Sequence, residues 1–323
     1  MSGFDILQND AVKVTNAALT AFNAALQKGM NSDVPVWHPQ VAMSVTSTTD
    51  TELYAWLSQV AGFRKWTASR HFNSVAQSGY QLKNEDWEDS VEIDRNAFRD
   101  NRFLQQSQLF EMMGYNARKH PDEQLADILI NFANYTCWDG KAYYATDHPV
   151  NLHDSGAGTF GNKATNTLTP ANLAIARREM MKFKDPSGRK LAVPPDTLIV
   201  PPSLRTTAET IVNGIFVPTV SGATVQFVGG NGATTQALKL IEIPEIEDEP
   251  TVWYLARLNY VVKPLIFQKR TDPVVEFIED LTSAFCKKHK KVQLGADYSG
   301  AFGYTFPQLM YRLGDSGAGV TLT

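Results

Sequence analysis

Cysteine is scarce in this chain: two residues in 323, Cys137 and Cys286, far apart. Two such thiols make no disulfide framework and point to a reducing compartment. Long apolar runs are missing as well. No window approaches the ~18 apolar residues of a spanning helix, so no membrane contact is expected. The opening Met1-Ser2-Gly3-Phe4-Asp5 has no basic run leading into an apolar one, so no secretory signal is expected. A basic excess is absent too, with 30 Lys and Arg against 34 Asp and Glu and a net charge of −4. Neutralising phosphates supplies most nucleic-acid affinity, so the balance argues against a dedicated nucleic-acid binder. Gly161-Asn162-Lys163 departs from phosphate-loop spacing, and neither a dinucleotide fingerprint nor any other cofactor site is expected. There is no solenoid-period repeat.

What remains is an ordinary globular composition, 43% hydrophobic and 20% charged, long enough for one large domain or two modest ones. Residues 9–30 read as an amphipathic helix, capped by Asn9 or Asp10 and ended by Gly29, with Val12, Leu19, Phe22 and Leu26 on one face. That stripe is thin and Ala-rich, and suits docking on a neighbour. Pro35 and Pro39 bar a helix over 31–53, where Ser44 to Thr51 is almost wholly Ser and Thr; the segment reads as an arm. Residues 54–94 carry Tyr54, Trp56, Phe63 and Trp66 among Arg64, Lys65, Arg70 and His71. An acidic stretch follows, Glu85, Asp86, Glu88, Asp89, Glu92 and Asp94. The alternation in Ser90-Val91-Glu92-Ile93-Asp94 reads as strand. The whole fits a long hairpin with one basic and one acidic leg, which needs a partner surface because isolated hairpins are marginal in water.

Residues 97–135 are the main helical region, with Leu104, Phe110, Met113, Ala117, Leu125, Ile128, Leu129 and Phe132 on the apolar face. Pro121 makes it two helices or one kinked helix, and Asp122 and Glu123 look like first-turn acids favoured by the dipole. Thr169-Pro170 opens a helix to about Phe183; Thr197–Val200 is a short buried strand; Ser203 caps a helix to about Val212. A loop or hairpin over 214–236 precedes strands near 238–243, 251–256, 263–268, 274–279 and 291–312, the last with Gly295, Gly300 and Gly303 permitting bends. The class is α+β, with most strands in the second half.

Three features look chemical. Gly314-Asp315-Ser316-Gly317 spells a serine-protease motif, but only six residues follow it, and a triad is recognised by geometry rather than letters. Cys137, Asp139, Asp147, His148, His153 and Asp154 carry ligand atoms at spacings that fit no zinc pattern, so neither a metal nor catalysis is expected. Trp138, Tyr143 and Tyr144 crowd the turn pair Asp139-Gly140, and Asp147-His148-Pro149 closes the segment, which reads as a rigid structural turn. Lys287-Lys288-His289-Lys290-Lys291 is a basic cluster opposed by Glu242, Glu245, Glu247, Asp248 and Glu249, a pairing suited to self-association.

In order along the chain come Tyr54-Ala55-Trp56-Leu57, Phe63 to Trp66, Val91-Glu92-Ile93-Asp94-Arg95, Phe110-Glu111-Met112-Met113-Gly114, Pro121-Asp122-Glu123, and the Asp139-Gly140 to Asp147-His148-Pro149 turn. On these, residues 54–150 resemble the Mu-type phage major head subunit, the gpT family. The resemblance implies the tailed-phage capsid fold first described for the Hong Kong 97 head protein. It implies an N-terminal arm at 1–53, an extended loop at 54–96, and a spine helix with the first part of a peripheral domain at 97–169. An axial domain at 170–255, peripheral strands at 256–305 and an axial return with the C-terminal tail at 306–323 complete it. The implied function is a non-enzymatic major capsid protein assembling into hexamers and pentamers of an icosahedral shell. Contacts between subunits are expected at Phe22, Trp56, Arg64, Trp66, Arg70, Glu85, Trp87 and Glu88. Expected partners are further copies of itself, a separate scaffolding protein (the arm begins almost at Met1), a portal protein, a decoration protein and packaged double-stranded DNA held by weak contact. Assembly is expected in the host bacterial cytoplasm, and the product is the virion. The alternatives are a hydrolase using the Asp139–Asp154 cluster and a DNA-binding accessory protein using Lys287 and Lys288.

Overall fold

The computed structural model describes residues 3–54, 80–99, 106–151, 155–184, 189–213, 217–221, 224–228 and 238–315. Helix α1 (Gly3–Met30) starts earlier than expected, so Asn9 and Asp10 lie inside it rather than at its start. A short α2 (His38–Val41) follows, with Pro39 in its first turn, where a missing N–H costs nothing. Strand β1 (Ala42–Thr46) leads to β2 (Thr51–Tyr54), which pairs with β3 (Tyr80–Lys83) through Tyr54 opposite Tyr80. β4 (Glu85–Asp94) and the short α3 (Arg95–Arg99) precede the long α4 (Ser107–Ile130), which runs on through Pro121 as one helix. Two-residue strands β5 (His148–Pro149) and β6 (Thr159–Phe160) pair across the following loop. Helix α5 (Pro170–Met180) opens as the sequence indicates: the Thr169 hydroxyl accepts from Asn172 N–H, and Pro170 takes the first helical position.

The second half supplies most strands. They are β7 (Thr197–Val200), then, after α6 (Arg205–Asn213), the hairpin β8 (Val217–Ser221) and β9 (Thr224–Val228), followed by β10 (Lys239–Glu242), β11 (Trp253–Ala256), β12 (Leu265–Lys269) and β13 (Val274–Glu279). α7 (Ala284–His289), β14 (Lys291–Tyr304) and β15 (Met310–Leu313) complete the chain. Ser203 sits inside a 3-10 turn ahead of α6 rather than at its cap, and donates to Glu247. β14 keeps an unbroken register with β4 and β12 through its three glycines; the irregularity lies on β13, between Phe277 and Glu279.

Two sheets organise the body. In the five-stranded sheet, β14 carries β4 along one edge through ten paired residues, Lys291 to Gly300. Its other edge takes β12 and β13 in tandem, and β1 adds in parallel on β12. The expected acidic leg of a hairpin is therefore an integral strand of this sheet. Its alternation turns Ile93 inward and Glu92 and Asp94 outward. Val292, Leu294 and Val275 face the same way as Ile93 and pack under α1 and α4.

The α1–α4 contact overturns the docking role given to the first helix. Phe22 and Phe110 stack at 4.1 Å, and both are fully buried within this chain. Phe22 has no surface left to offer another subunit. The backbones touch because Gly29 and Gly114 face each other: a Cβ on Gly114 would strike the Leu26 carbonyl, and one on Gly29 the Glu111 carbonyl. Asn23 adds two hydrogen bonds to the Val275 backbone.

The four-stranded sheet has the order β10-β7-β11-β15. Every residue of β7, β11 and β15 is buried. Ile199, Tyr254 and Met310 face α4, while Leu198, Leu255 and Tyr311 face α5 and α6. This period of two, buried on both sides, explains why Thr197–Val200 reads as a continuous apolar run.

Candidate functional site

The Asp139–His148 segment lies between the two sheets. Gly140, at φ 78°, makes the turn: its N–H donates to Cys137 O, and Lys141 N–H donates to Asp139 Oδ1. Beyond it, Tyr143 and Tyr144 point into the core, and burial pushes both phenols well above their ordinary range. His148 meets Asp139 through Nδ1 at 2.6 Å, and both side chains are fully buried. Its Nε2 faces Tyr143 O at 3.2 Å, and Phe160 stacks on the ring. Pro149 continues into β5, which closes the loop on β6.

An Asp–His pair makes two members of a catalytic triad, yet this one activates nothing. Each ring nitrogen is occupied by a protein acceptor, and no water-accessible surface reaches either group. Asp147 points the other way, exposed and paired with Lys141 at 2.5 Å; that hydrogen bond holds its carboxyl below the usual range. Burial drives the Cys137 thiol upward, which makes it unreactive. His153 and Asp154 lie outside the described residues, and among those described no group of three or more His, Cys, Asp or Glu could hold a metal. The hydrolase alternative therefore finds no support here.

Gly156-Ala157-Gly158-Thr159-Phe160-Gly161 does have the glycine spacing of a dinucleotide or phosphate loop, which the sequence reading overlooked. It lacks the context: a 3-10 turn leads into β6, no helix opens after it, and Asn162-Lys163-Ala164 stands where Lys-Ser or Lys-Thr belongs.

Three polar residues that the sequence reading missed hold the segment in place. Asn162, fully buried, accepts from Ala145 N–H and donates to Tyr143 O and Pro307 O. Arg312 is 1% exposed within β15 and donates to Leu129 O at 3.0 Å, Tyr254 Oη at 2.7 Å and Glu249 at 2.6 Å. Asp122 serves α2 rather than the start of a helix: its carboxylate accepts Trp37 N–H and His38 N–H and meets His38 Nδ1 at 2.6 Å. One signal was available in sequence. A lone arginine in the apolar strand Met310-Tyr311-Arg312-Leu313 requires a buried partner.

The charge runs are also spent differently from expectation. Glu242 pairs with Arg205, Glu245 with Lys119 and Trp37, Glu247 with Ser203, and Glu249 with Arg312. The acids read as a self-association patch are thus largely bound within their own chain. Lys287, Lys288 and His289 form the last turn of α7, favourable to its dipole, and Lys291 pairs with Glu92 across β14 and β4.

Of the expected contact residues, Trp56, Arg64, Trp66 and Arg70 lie outside the described residues. Glu85 and Glu88 are exposed on β4. Trp87 is half-buried on its inner face, edge-on to His120 at 4.5 Å. The stub of the hairpin is pinned: Tyr54 Oη donates to the buried Gln268, which donates to Asn84, and Tyr80 stacks on Tyr304.

Comparison with known proteins agrees with this architecture. The family described as Mu-like prophage major head subunit gpT matches residues 15–167, 159–246 and 231–316. The Mu-like prophage FluMu major head subunit of Haemophilus influenzae is 29% identical over 169 residues, 52% of this chain and 54% of the relative. The major capsid protein of Escherichia phage Mu is 29% identical over 146 residues, 45% of this chain and 48% of that one. The matches thus span about half the length of these curated relatives. In fold, the chain resembles the procapsid of bacteriophage JBD30 (TM-score 0.55, 21% identity, 94% of this chain and 75% of that one). It also resembles the JBD30 capsid (TM-score 0.51, 16% identity, 87% and 66%). With the family matched along nearly its whole length and the Hong Kong 97-like α+β fold in place, the chain belongs to the Mu-like prophage major head subunit family, gpT.

Proposed function

We propose that this chain is a major capsid protein that assembles into hexamers and pentamers of an icosahedral shell around phage double-stranded DNA. The observation carrying this reading is the fold shared with the JBD30 procapsid over 94% of the chain. The catalytic-looking Asp139–His148 pair serves as a buried strut, which suits a building block better than an enzyme. The extended loop runs between Tyr54 and Tyr80 and β4 belongs to the peripheral sheet, α4 is the spine helix, 170–255 form the axial domain, and 256–305 return to the peripheral domain. Trp56, Arg64, Trp66, Arg70, Glu85, Trp87 and Glu88 make contacts between copies. Scaffolding, portal and decoration proteins are further partners. The exposed Lys287 and Lys288 give packaged DNA at most weak, salt-sensitive contact. The chain folds and assembles in the bacterial cytoplasm and ends in the virion.

Sedimentation of the purified protein, with negative-stain microscopy of the fast fractions, tests the reading. Rings of five or six subunits, sheets or closed shells are expected. A compact monomer at every concentration, with or without co-expressed head proteins, would overturn it.

A further inference from the structure

A cavity of about 370 Å³ opens between α4 and the β4–β14 pair. Three rings line it: Trp87, His120 and Tyr298, with His120 edge-on to both others and its Nδ1 in hydrogen-bond contact with the Tyr298 hydroxyl. Three exposed carboxylates stand at its rim, Glu88 and Asp89 on β4 and Glu123 on α4. Burial raises the Tyr298 phenol and Glu123 adds to that rise, while at His120 Glu123 opposes the burial that lowers the imidazole. No lysine or arginine lines the space, and burial disfavours the charged form of the imidazole. The Trp87 indole N–H is shut away from solvent with no acceptor among the described residues. Aromatic faces beside unpaired carboxylates suit a guanidinium, which stacks on rings and binds carboxylates through a planar fork.

The chain itself contains the complementary segment. Residues 55–79 hold Arg64, Lys65 and Arg70 and no Asp or Glu. The segment leaves and re-enters the body at the paired Tyr54 and Tyr80, so each half can span at most about 40 Å. We propose that the cavity beneath Trp87 receives an arginine, Arg64 or Arg70, from residues 55–79 of a second copy. The inference rests on the shell-subunit reading and specifies where and by what chemistry one copy grips the next.

The test uses the full chain. Asp89→Lys with Glu123→Lys is expected to lower the assembled fraction by about tenfold or more while leaving the melting temperature of the unassembled protein unchanged. Arg64→Glu or Arg70→Glu should act likewise, and one of them should restore assembly in the double-lysine background. In parallel, chains carrying Asp89→Cys are mixed with size-tagged chains carrying Arg64→Cys or Arg70→Cys and then oxidised; Cys137 and Cys286 are buried and stay silent. A two-chain band containing one of each is expected. Assembly that proceeds normally with Asp89→Lys and Glu123→Lys, or that forms without any mixed band, overturns the inference and leaves the shell reading standing. Crosslinking only when both cysteines share one chain overturns it too. Failure of the unaltered chain to assemble overturns both.

Discussion

The two sheets of this chain solve opposite problems. In the four-stranded sheet, β7, β11 and β15 are buried on both faces, and Arg312 within it must find every hydrogen bond inside the molecule. The five-stranded sheet buries one face under α1 and α4; the other is covered at Ile266 and Gln268 by the β2–β3 pair and is open to solvent along β4, where Asp86, Glu88, Glu92, Asp94 and the facing Asp297 stand. In the first sheet only the edge strand β10 reaches solvent, and β7, β11 and β15 have no surface to present to a partner. The second leaves an acidic face and a ring-lined cleft at its edge. Polar groups therefore mean different things in the two places: internal ties in one, unspent charge in the other.

Substitutions can break or sharpen that contrast. The largest effect is expected from Arg312→Met, which strands Glu249, Tyr254 Oη and the Leu129 carbonyl; chemical denaturation should show a loss of about 3–5 kcal/mol, or the protein should fail to remain soluble. Asn162→Ala removes the ties to Ala145, Tyr143 and Pro307 and should cost about 2–4 kcal/mol by the same measurement. Gly114→Ala forces a methyl group against the Leu26 carbonyl and should cost about 1–3 kcal/mol, with α1 losing amide-exchange protection first. On the wet face, Glu88→Gln should leave the unassembled protein's melting curve unmoved; a clear shift would mean that this face is a structural contact after all.

The smallest effect is expected at the exposed turn pair. The Lys141 hydrogen bond depresses the Asp147 carboxyl, so its small contribution is present above the unfolded pKa and fades as pH falls through the folded one. Carbon-detected titration should place Asp147 below the ordinary aspartate range, and Lys141→Met should return it there without measurable change in stability. Loss of solubility on Asp147→Ala would contradict the exposed geometry.

Local pattern carried much of the fold. The Thr169-Pro170 start, the apolar Thr197–Val200 run and the alternation ending at Asp94 each report a rule that operates within a few residues. Contacts between distant residues left little trace. Nothing near Asp122 announces Trp37 and His38, and Gly29 reads as a helix end until it is seen against Gly114. The acidic stretch misled because it was paired with its sequence neighbour, whereas its ten partners lie in β14. At the Asp139–His148 turn, the residues that bend the chain were legible, but the deep burial that deprives His148 of chemistry depends on Asn162, Phe160 and the strand carrying Arg312.

β1 pairs in parallel with β12, joining Ala42–Thr46 to Leu265–Lys269, more than two hundred residues later. A ribosome adding roughly 5–20 residues per second needs some ten seconds or more to make that stretch. Throughout that interval the emerging chain has β1 without its mate and β4 without β14. The sheet is completed only once β14 has been made, so shorter nascent chains have no finished surface on which to nucleate a premature lattice.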